Sequence, residues 1–333
     1  MEVLVTGATG FIGSNLVKKL NQLDFKVRVL HRKKSDLSEL EGCQFESHIG
    51  DITNPESLES ACKDVKGVFH LAGVVAYDPR ERALMEKVNV EGTRNIVDAC
   101  RKTKVPKLLH LSSVVAIGAS FDGKNPLTES SDFNLSHLDL GYFETKRQAE
   151  EIVREAAIKG DIQATMINPS TVYGPGDAKK GSRKTQLKVA KGEFKFYTSG
   201  GVNVVHIDDV LHSTIKGFEM GGNGERYIVG SENILIKDLF ESIAKISNVE
   251  PPKIGLSNFA VKSLGFVGDT MNKIGLKGPI TSENAWTSIL YHWFDSTKAQ
   301  KAFSFTPKPA IEAIKESILW SQENGLLKKS DES

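Results

Sequence analysis

The sequence predicts a doubly wound α/β fold, with a parallel sheet that carries helices on both faces. Short β-rich runs recur through the first half of the chain: "EVLVT", "KVRVLH", "GVFHLAG" and "KLLHLSS". Stretches with helical periodicity lie between several of these runs. This strand–helix alternation requires crossover connections and therefore predicts parallel strands. A chain of 333 residues, 39% of them hydrophobic, can also bury a core of ordinary size.

The predicted elements follow one another regularly up to about residue 170. The helical stretches are Phe11–Leu23, Glu56–Asp64, Arg82–Lys102 and Tyr142–Lys159. The run "QATMIN" adds another strand, whereas residues 175–205 are rich in Lys, Gly and Ser and are predicted to be loop-like.

The length favours about two domains. We expect a first α/β domain over residues 1–170 and a smaller α/β domain over residues 171–330. Residues 200–220 are expected to return to the first domain, because "VNVVHIDDV" reads as a strand followed by a helix start.

Composition narrows the functional classes. The formal net charge of +1 predicts no broad basic face for nucleic acid. No apolar run reaches the roughly 18 residues that a membrane span requires. The first strand begins at Glu2, which leaves no room for a removable signal peptide. Cys43, Cys62 and Cys100 lack metal-ligand spacing, so we expect no metal site and a cytoplasmic, reducing environment.

The stretch "VLVTGATGFIGSN" places glycines three residues apart between a strand and a helix. Gly7 permits a tight turn, Gly10 lets the backbone approach a pyrophosphate, and Gly13 lets the helix pack closely on the strand. The N-terminus of the helix adds free N–H groups and the positive end of a dipole. This context predicts a Rossmann-type dinucleotide site.

The end of the second strand bears on the choice of dinucleotide. An acid there would bind the ribose 2′-hydroxyl of NAD, but "VRVLHRKKSD" has no acid before Asp36. A guanidinium suits a 2′-phosphate, so Arg32 favours NADP(H), with NAD still possible. A solvated basic loop explains Lys33 and Lys34 better than it explains Arg32.

The chain resembles the extended short-chain dehydrogenases/reductases, the group of NAD-dependent epimerases, dehydratases and dihydroflavonol-reductase-like enzymes. Seven segments carry the resemblance in the family's order: "TGATGFIGSN", "GDITN", "FHLAG", "NVEGTRN", "HLSSVVAIG", "YFETK" and "NPSTVYGPGD". The segments "NVVHIDDV" and "GERYIVG" are similar to a dihydroflavonol-reductase-like branch that includes hopanoid-associated sugar epimerases.

The resemblance implies which residues contact the cofactor. An acid meets adenine at "GDITN", "FHLAG" lies beside the ribose, and "NPSTVYGPGD" flanks the nicotinamide. The implied and motif-derived cofactor residues are Gly7, Thr9, Gly10, Phe11, Ile12, Gly13, Arg32, Asp51, Ile52, Leu71, Ala72, Gly73, Pro169, Ser170 and Val172, together with Tyr142 and Lys146.

Tyr142 and Lys146 stand four residues apart, on one face of a helix. A free Tyr has a pKa of about 10, and a neighbouring ammonium and an oxidised nicotinamide would lower that pKa. We therefore expect Tyr142 to be the acid/base and Lys146 to supply charge and bind the nicotinamide ribose. The resemblance assigns the oxyanion-type hydroxyl to Ser113, with Ser112 as the neighbour to test second.

For three other polar residues the sequence gives a weaker indication of a functional role. Asn89 is either a locally bonded helix amide or a residue that steadies the segment around Ser113. His70 and His110 lie in apolar strand runs and are expected to be structural or to flank the cofactor.

One cluster of titratable residues resembles a metal or acid–base site: His206, Asp208 and Asp209. We interpret its two acids as N-terminal caps of a helix rather than as a metal or acid–base site.

Two reactions fit the motifs. The favoured hypothesis is NADP(H)-dependent reduction of a ketone or aldehyde, and the alternative is a nucleotide-sugar epimerase or dehydratase with retained NAD. Sugar epimerases of this group commonly carry an Arg where this chain has Val202, although Arg183, Lys184 or Lys188 could substitute. A non-catalytic NADP sensor is disfavoured because the Tyr–Lys pair is intact.

The expected partner is a small carbonyl or alcohol compound. Its pocket should be lined from residues 74–77, 114–116, 170–171 and the region after residue 180. The family resemblance implies a homodimer formed through the helices Arg82–Lys102 and Tyr142–Lys159. The apolar segment 256–274 is expected to be a helix buried against the substrate domain. The alternatives are an apolar pocket for a hydrophobic carbonyl compound or a weak contact with a membrane surface.

Overall fold

A seven-stranded sheet forms the centre of the molecule, in the order β3-β2-β1-β4-β5-β6-β10. Every neighbouring pair of strands in it is parallel. The computed structural model describes residues 1–176 and 181–327, except for the side chains of residues 181–183. The doubly wound α/β prediction is confirmed.

The strands within the described residues share short lengths and mostly buried faces. They are β1 (Glu2–Thr6), β2 (Lys26–His31), β3 (Glu46–Ile49), β4 (Val68–His70), β5 (Lys107–Leu111), β6 (Gln163–Pro169), β7 (Thr171–Tyr173), β8 (Phe196–Tyr197), β9 (Gly201–His206), β10 (Arg226–Val229), β11 (Glu232–Leu235), β12 (Ile254–Gly255) and β13 (Tyr291–His292).

The α-helices of the same residues connect or cover these strands. They are α1 (Phe11–Gln22), α2 (Pro55–Cys62), α3 (Arg82–Met85), α4 (Gly92–Thr103), α5 (Gly141–Ile158), α6 (Gly181–Ala190), α7 (Ile207–Met220), α8 (Ile236–Ile246), α9 (Asn258–Lys273), α10 (Ser282–Ile289), α11 (Thr297–Phe303) and α12 (Ala310–Glu323). A π-helical segment, Glu86–Glu91, joins α3 to α4, so the helix predicted over 82–102 is present with a bulge in it.

The two faces of the central sheet bury separate apolar cores. Leu16, Val17 and Leu20 of α1 and Ile215 and Phe218 of α7 pack on one face. Residues of α2, α4 and α5 pack on the other face. Because β2 and β4 lie on opposite sides of β1, the chain reverses its strand order there, and this reversal opens a crevice at the carboxyl ends of the strands.

A second, smaller part of the molecule follows β6. In it β9 pairs with β7, β11 and β13, and helices α6, α8 and α12 share one apolar cluster. The expectation of a loop over 175–205 is wrong, since α6 and β8 occupy part of it. The Lys- and Ser-rich sequence hides α6, whose buried residues are few and include Val189.

The chain also returns to the central sheet, through α7 and β10. The domain boundary near residue 170 therefore remains a proposal. No helix among the residues with described placement has the length and apolar character needed to cross a bilayer.

Candidate active site

The glycine turn between β1 and α1 has three different environments. Gly7 adopts a φ of +72°, and a Cβ there would lie 2.6 Å from the Ala72 nitrogen. A Cβ on Gly13 would lie 2.1 Å from the Gly7 carbonyl oxygen. A Cβ on Gly10 would meet only that same oxygen, at 3.3 Å, and Gly10 is exposed. Gly7 and Gly13 thus permit close backbone packing, whereas Gly10 leaves the approach to the turn open.

The N-terminus of α1 is suited to an anion. Gly10 is the N-cap residue, no side chain among the described residues caps this end, and the first turn has no acid. The N–H groups of a first helical turn have no partner within the helix, and the dipole makes them electropositive. This open cradle fits the pyrophosphate of a dinucleotide.

The end of β4 is tied to the glycine turn by Thr6, which the sequence analysis missed. The Thr6 Oγ1 accepts a hydrogen bond from the Ala72 nitrogen at 3.2 Å and contacts Nδ1 of His70 at 2.8 Å. Leu71 N–H donates to the Thr6 carbonyl at 3.2 Å. These contacts hold Leu71, Ala72 and the adjoining Gly73 beside the crevice.

His70 is a structural residue, as expected. It is fully buried, and its Nε2 lies 3.0 Å from the Thr93 Oγ1. Burial, with a smaller effect from the Lys146 charge, lowers the pKa of His70 to about 3. The ring is therefore neutral at physiological pH.

Arg32 and Asp51 lie at the same edge of the sheet. Arg32 follows β2, the strand that pairs with β1, and it is exposed. The Gly50 N–H donates to the His31 carbonyl at 3.0 Å, which brings Asp51 next to the end of β2. The Asp51 Oδ1 accepts from both the N–H and the hydroxyl of Thr53, each at 2.9 Å, so this carboxylate is held in a tight turn.

Ile52, the residue after Asp51, is buried. Its carbonyl accepts a hydrogen bond from Asn95 Nδ2 at 3.0 Å, which fixes the turn against α4. The structure therefore brings the predicted adenine-side residues to the crevice edge on a rigid support.

Ser113, Tyr142 and Lys146 meet at the end of β5. Tyr142 stands in the first turn of α5, and its phenol faces the Ser113 hydroxyl, which favours the phenolate form. The Lys146 Nζ donates to the Leu111 carbonyl at 2.9 Å, and Leu111 ends β5. Tyr142 and Lys146 are 9% and 7% exposed, whereas Ser113 is half-buried.

Burial dominates the pKa values of this cluster. It raises the pKa of Tyr142 to about 12, and the Ser113 hydrogen bond opposes it. Burial also lowers the pKa of Lys146 to about 8, against the attraction of Glu150. The expected lowering of the Tyr142 pKa by Lys146 is therefore not produced by the protein's own groups. The phenol holds its proton at neutral pH and is prepared to act as an acid.

Residues from other elements fix α5, the helix that carries Tyr142 and Lys146. The Glu283 Oε1 accepts from the Gly141 N–H at 3.1 Å, directly before Tyr142. The Tyr77 ring meets the Tyr142 ring edge-on, with centroids 5.7 Å apart. Nothing in the local sequence around Glu283 or Tyr77 signals these contacts.

Asn89 lies in the π-helical segment and links two parts of the site. Its Oδ1 accepts from the Val74 N–H at 2.7 Å, and its Nδ2 donates to the Thr145 Oγ1 at 3.2 Å. Asn89 therefore steadies the loop after β4 and helix α5, rather than the segment around Ser113 or its own helix alone.

Two buried hydroxyls at the strand ends have no hydrogen-bond partner among the described residues: those of Ser112 and Ser170. Ser170 follows Pro169 at the end of β6, and Val172 follows in β7. Asn15 Nδ2 of α1 donates to the Pro175 carbonyl at 3.4 Å. The "NPSTVYGPGD" segment thus passes beside the glycine turn, and its last residue, Asp177, lies outside the described residues.

The His206 cluster is structural. The Nδ1 of His206 accepts from the Asp208 N–H at 3.0 Å, so the histidine, not the acids, caps α7. The Asp208 carboxylate pairs with Lys308 at 2.9 Å, and Asp209 accepts from the Lys308 N–H. No group of three metal-ligating side chains that could hold an ion occurs in residues 1–176 and 181–327.

Residues 3–230 match the model of the NAD dependent epimerase/dehydratase family. The chain belongs to this family. It is therefore an NAD(P)-dependent oxidoreductase of the extended short-chain dehydrogenase/reductase type, as its motifs predicted.

Several proteins are similar to nearly the whole chain. A Synechocystis protein named for dihydroflavonol 4-reductase is 27% identical, with 97% of this chain and 95% of the relative covered. Sterol demethylase protein B of Methylococcus capsulatus is 26% identical, with 98% and 100% covered. The crystal structure of gox2253 is 34% identical, with 98% and 99% covered and a TM-score of 0.87.

Proposed function

We propose that this protein reduces a ketone or aldehyde with NADPH, with Tyr142 as the proton donor. The observation that supports this most directly is that the half-buried Ser113 meets the buried Tyr142 and Lys146 at the end of β5. A protonated phenol is the form needed to quench a developing alkoxide, and burial keeps Tyr142 protonated.

Each residue has a distinct role in this proposal. The bound dinucleotide supplies the hydride. Ser113 donates a hydrogen bond to the substrate oxygen and stabilises the charge that develops on it. Tyr142 gives that oxygen its proton. Lys146 binds the nicotinamide ribose and so positions the dinucleotide beside the phenol.

The cofactor residues divide along the crevice. The turn from Gly7 to Gly13, with Thr9, Phe11 and Ile12, would hold the pyrophosphate, and Asp51–Ile52 would hold adenine. The segment Leu71–Gly73 would line the ribose. Pro169, Ser170 and Val172 would flank the nicotinamide, with the unpartnered Ser170 hydroxyl available to its amide.

NADP is proposed over NAD on the charge at the end of β2. Arg32 is exposed at the crevice edge, and β2 ends at His31 rather than at an acid that would select the ribose 2′-hydroxyl of NAD. The rest of the basic loop, Lys33 and Lys34, is equally exposed and adds attraction at longer range.

The alternative reaction, sugar epimerisation or dehydration with retained NAD, requires a grip on a nucleotide diphosphate. Val202, half-buried in β9, cannot provide one. Lys184 and Lys188 on α6 are exposed and available, and the Arg183 side chain lies outside the described residues. We therefore rank the alternative second.

A cytoplasmic location and pairing into a homodimer through α4 and α5 complete the proposal. Free thiols at Cys43, Cys62 and Cys100 fit a reducing compartment.

The test begins with the purified protein, denatured to release any bound nucleotide. NADPH oxidation is then followed against a panel of aldehydes and ketones. We expect Tyr142→Phe to lose about 10²- to 10⁴-fold in turnover, because the proton donor is gone. Tyr197→Phe is the matched control, since Tyr197 is half-buried beside Lys237 on α8.

A Tyr142→Phe protein as active as the parent would overturn the catalytic role. Release of stoichiometric NAD, with no NADPH oxidation, would replace the reductase with the epimerase.

A further inference from the structure

Exposed apolar side chains concentrate in one segment of the chain. Seven of the nineteen large apolar residues that are exposed among those described lie between residues 254 and 276. They are Ile254, Phe259, Leu264, Phe266, Val267, Ile274 and Leu276. The prediction that this segment is a helix buried against the substrate domain is therefore only partly right: α9 is a helix that buries Val261, but its other large apolar side chains face outward.

The reason is that α9 packs through its smallest residues. It buries Val261, Gly265 and Gly268 on one side. On the opposite side Phe259 is 82% exposed and Phe266 is 71% exposed. Residues 259 and 266 are two helical turns apart, so the two rings project from the same face.

The same segment has an uneven charge. Residues 258–277 contain three lysines, Lys262, Lys273 and Lys277, but one acid, Asp269. Both carboxylate oxygens of Asp269 accept from the Ser282 N–H, at 3.3 and 3.2 Å, so this acid faces the protein. Neither Lys273 nor Lys277 forms an ion pair with any described residue.

We propose that α9 and the turn after it, residues 258–277, dock on the surface of an anionic lipid bilayer. A helix that carries phenylalanines on an outer face flanked by lysines can bury its rings at the headgroup level while the ammonium groups meet anionic lipid. We call this face the docking face. It requires no membrane-spanning helix.

Charge argues against a second copy of the chain as the occupant. In a two-fold contact the same patch meets itself, so the lysines of one copy would face the lysines of the other. An anionic bilayer instead offers the opposite charge over the whole face.

The helix that carries the docking face contacts the candidate active site through α10. Val261 of α9 packs with Ala285 and Ile289 of α10. The same α10 holds the start of α5 through Glu283, and Asn284 Nδ2 donates to the Tyr77 carbonyl at 3.0 Å.

The test is flotation of the full chain with vesicles, without substrate or turnover. Vesicles of phosphatidylcholine alone are compared with vesicles that contain phosphatidylglycerol as well, at low and high salt. We expect the parent protein to float with the anionic vesicles at low salt. The variant Phe259→Ser/Phe266→Ser should bind at least about tenfold more weakly, since two rings leave the bilayer.

Lys273→Glu/Lys277→Glu should lose binding to a similar extent on the anionic vesicles, and high salt should mimic it. The control is Ile311→Ser/Leu319→Ser, which removes two exposed apolar residues from α12, and it should bind as the parent does. Circular dichroism confirms that each variant is folded.

Parent protein that stays unbound to anionic vesicles at low salt would overturn the proposal, as would a Phe variant that binds like the parent. Sedimentation velocity supplies the remaining check. A dimer that Phe259→Ser/Phe266→Ser converts to monomer would assign the face to a second copy instead. None of these readouts depends on reductase activity, so failure here leaves the proposed function intact.

Discussion

Helices α1 and α9 both contact a neighbouring backbone through glycine, yet the surfaces exposed beside the two contacts differ in chemistry. In α1, a Cβ on Gly13 would lie 2.1 Å from the Gly7 carbonyl oxygen. In α9, a Cβ on Gly268 would lie 1.8 Å from the Ile280 carbonyl oxygen. Both contacts exclude any larger residue. They differ in what stays exposed next to them.

Next to the α1 contact lies an uncapped helix end with N–H groups and a basic loop. Next to the α9 contact lies a row of phenylalanines and lysines. In both places glycine lets the helix pack closely against a neighbouring backbone. What each surface can bind then depends on the groups that remain exposed beside the contact. One end suits a phosphate, and the other suits a bilayer.

The largest expected effect comes from filling the α1 contact. Gly13→Ala should lower the free energy of unfolding by about 3 kcal/mol, because the added methyl overlaps backbone inside the main core. Gly268→Ala should cost about 1 kcal/mol, since α9 lies at the outside and can move with the turn that it contacts. Urea unfolding at constant m-value measures both.

Equal losses in the free energy of unfolding for Gly13→Ala and Gly268→Ala would contradict this prediction. They would show that α9 contributes as much to the stability of the fold as α1 does. Ser263→Ala is the control for α9, because Ser263 is exposed on the same helix. It should leave the free energy of unfolding unchanged.

The first half of the fold was predictable because its strands are buried on both faces and its helices are amphipathic. β1 and β2 occupy the residues that the pattern marked. The edge strand β3 was not marked, because "ESHI" is largely exposed and shows no apolar pattern. The side on which α9 packs was also unpredictable, since its sequence places apolar residues on nearly every face.

The site divides in the same way. That Gly7 lies at a tight turn and that Tyr142 and Lys146 share a helix face could be expected from their spacing, and the family resemblance indicated Ser113 beside them; their catalytic and binding roles stay predictions. The contacts that support these residues could not be expected in this way. Glu283 reaches α5 from 142 residues away in the chain, and no local pattern carries that information.

Gly10→Ala sharpens the comparison at the α1 end. The new methyl would lie 3.3 Å from the Gly7 carbonyl oxygen, and the φ of −89° is open to any residue. Stability should therefore change by less than about 1 kcal/mol. Dinucleotide affinity should fall about ten- to hundredfold, because the methyl occupies the approach to the helix end. Isothermal titration with NADPH measures the loss.

Affinity retained in Gly10→Ala would show that the pyrophosphate does not lie over this turn. A second glycine-to-alanine variant at an open position, Gly160→Ala, is not a suitable control, because its φ of +77° would strain an alanine. The parent protein and Ser263→Ala provide the reference for affinity.

The smallest expected effect is on the preference for NADPH over NADH and concerns Arg32. This residue adds a positive charge near the phosphate-binding end of α1. Arg32→Ala should reduce the preference for NADPH over NADH about tenfold, the value of one exposed guanidinium–phosphate contact. Lys34→Ala, two residues further along the same exposed loop, should change the preference much less, because an ammonium at longer range is screened by salt. The measurement is the ratio of the two dissociation constants at fixed ionic strength. If both variants shift the ratio equally, the loop acts only as a diffuse positive charge, and the guanidinium fork loses its special place in cofactor choice.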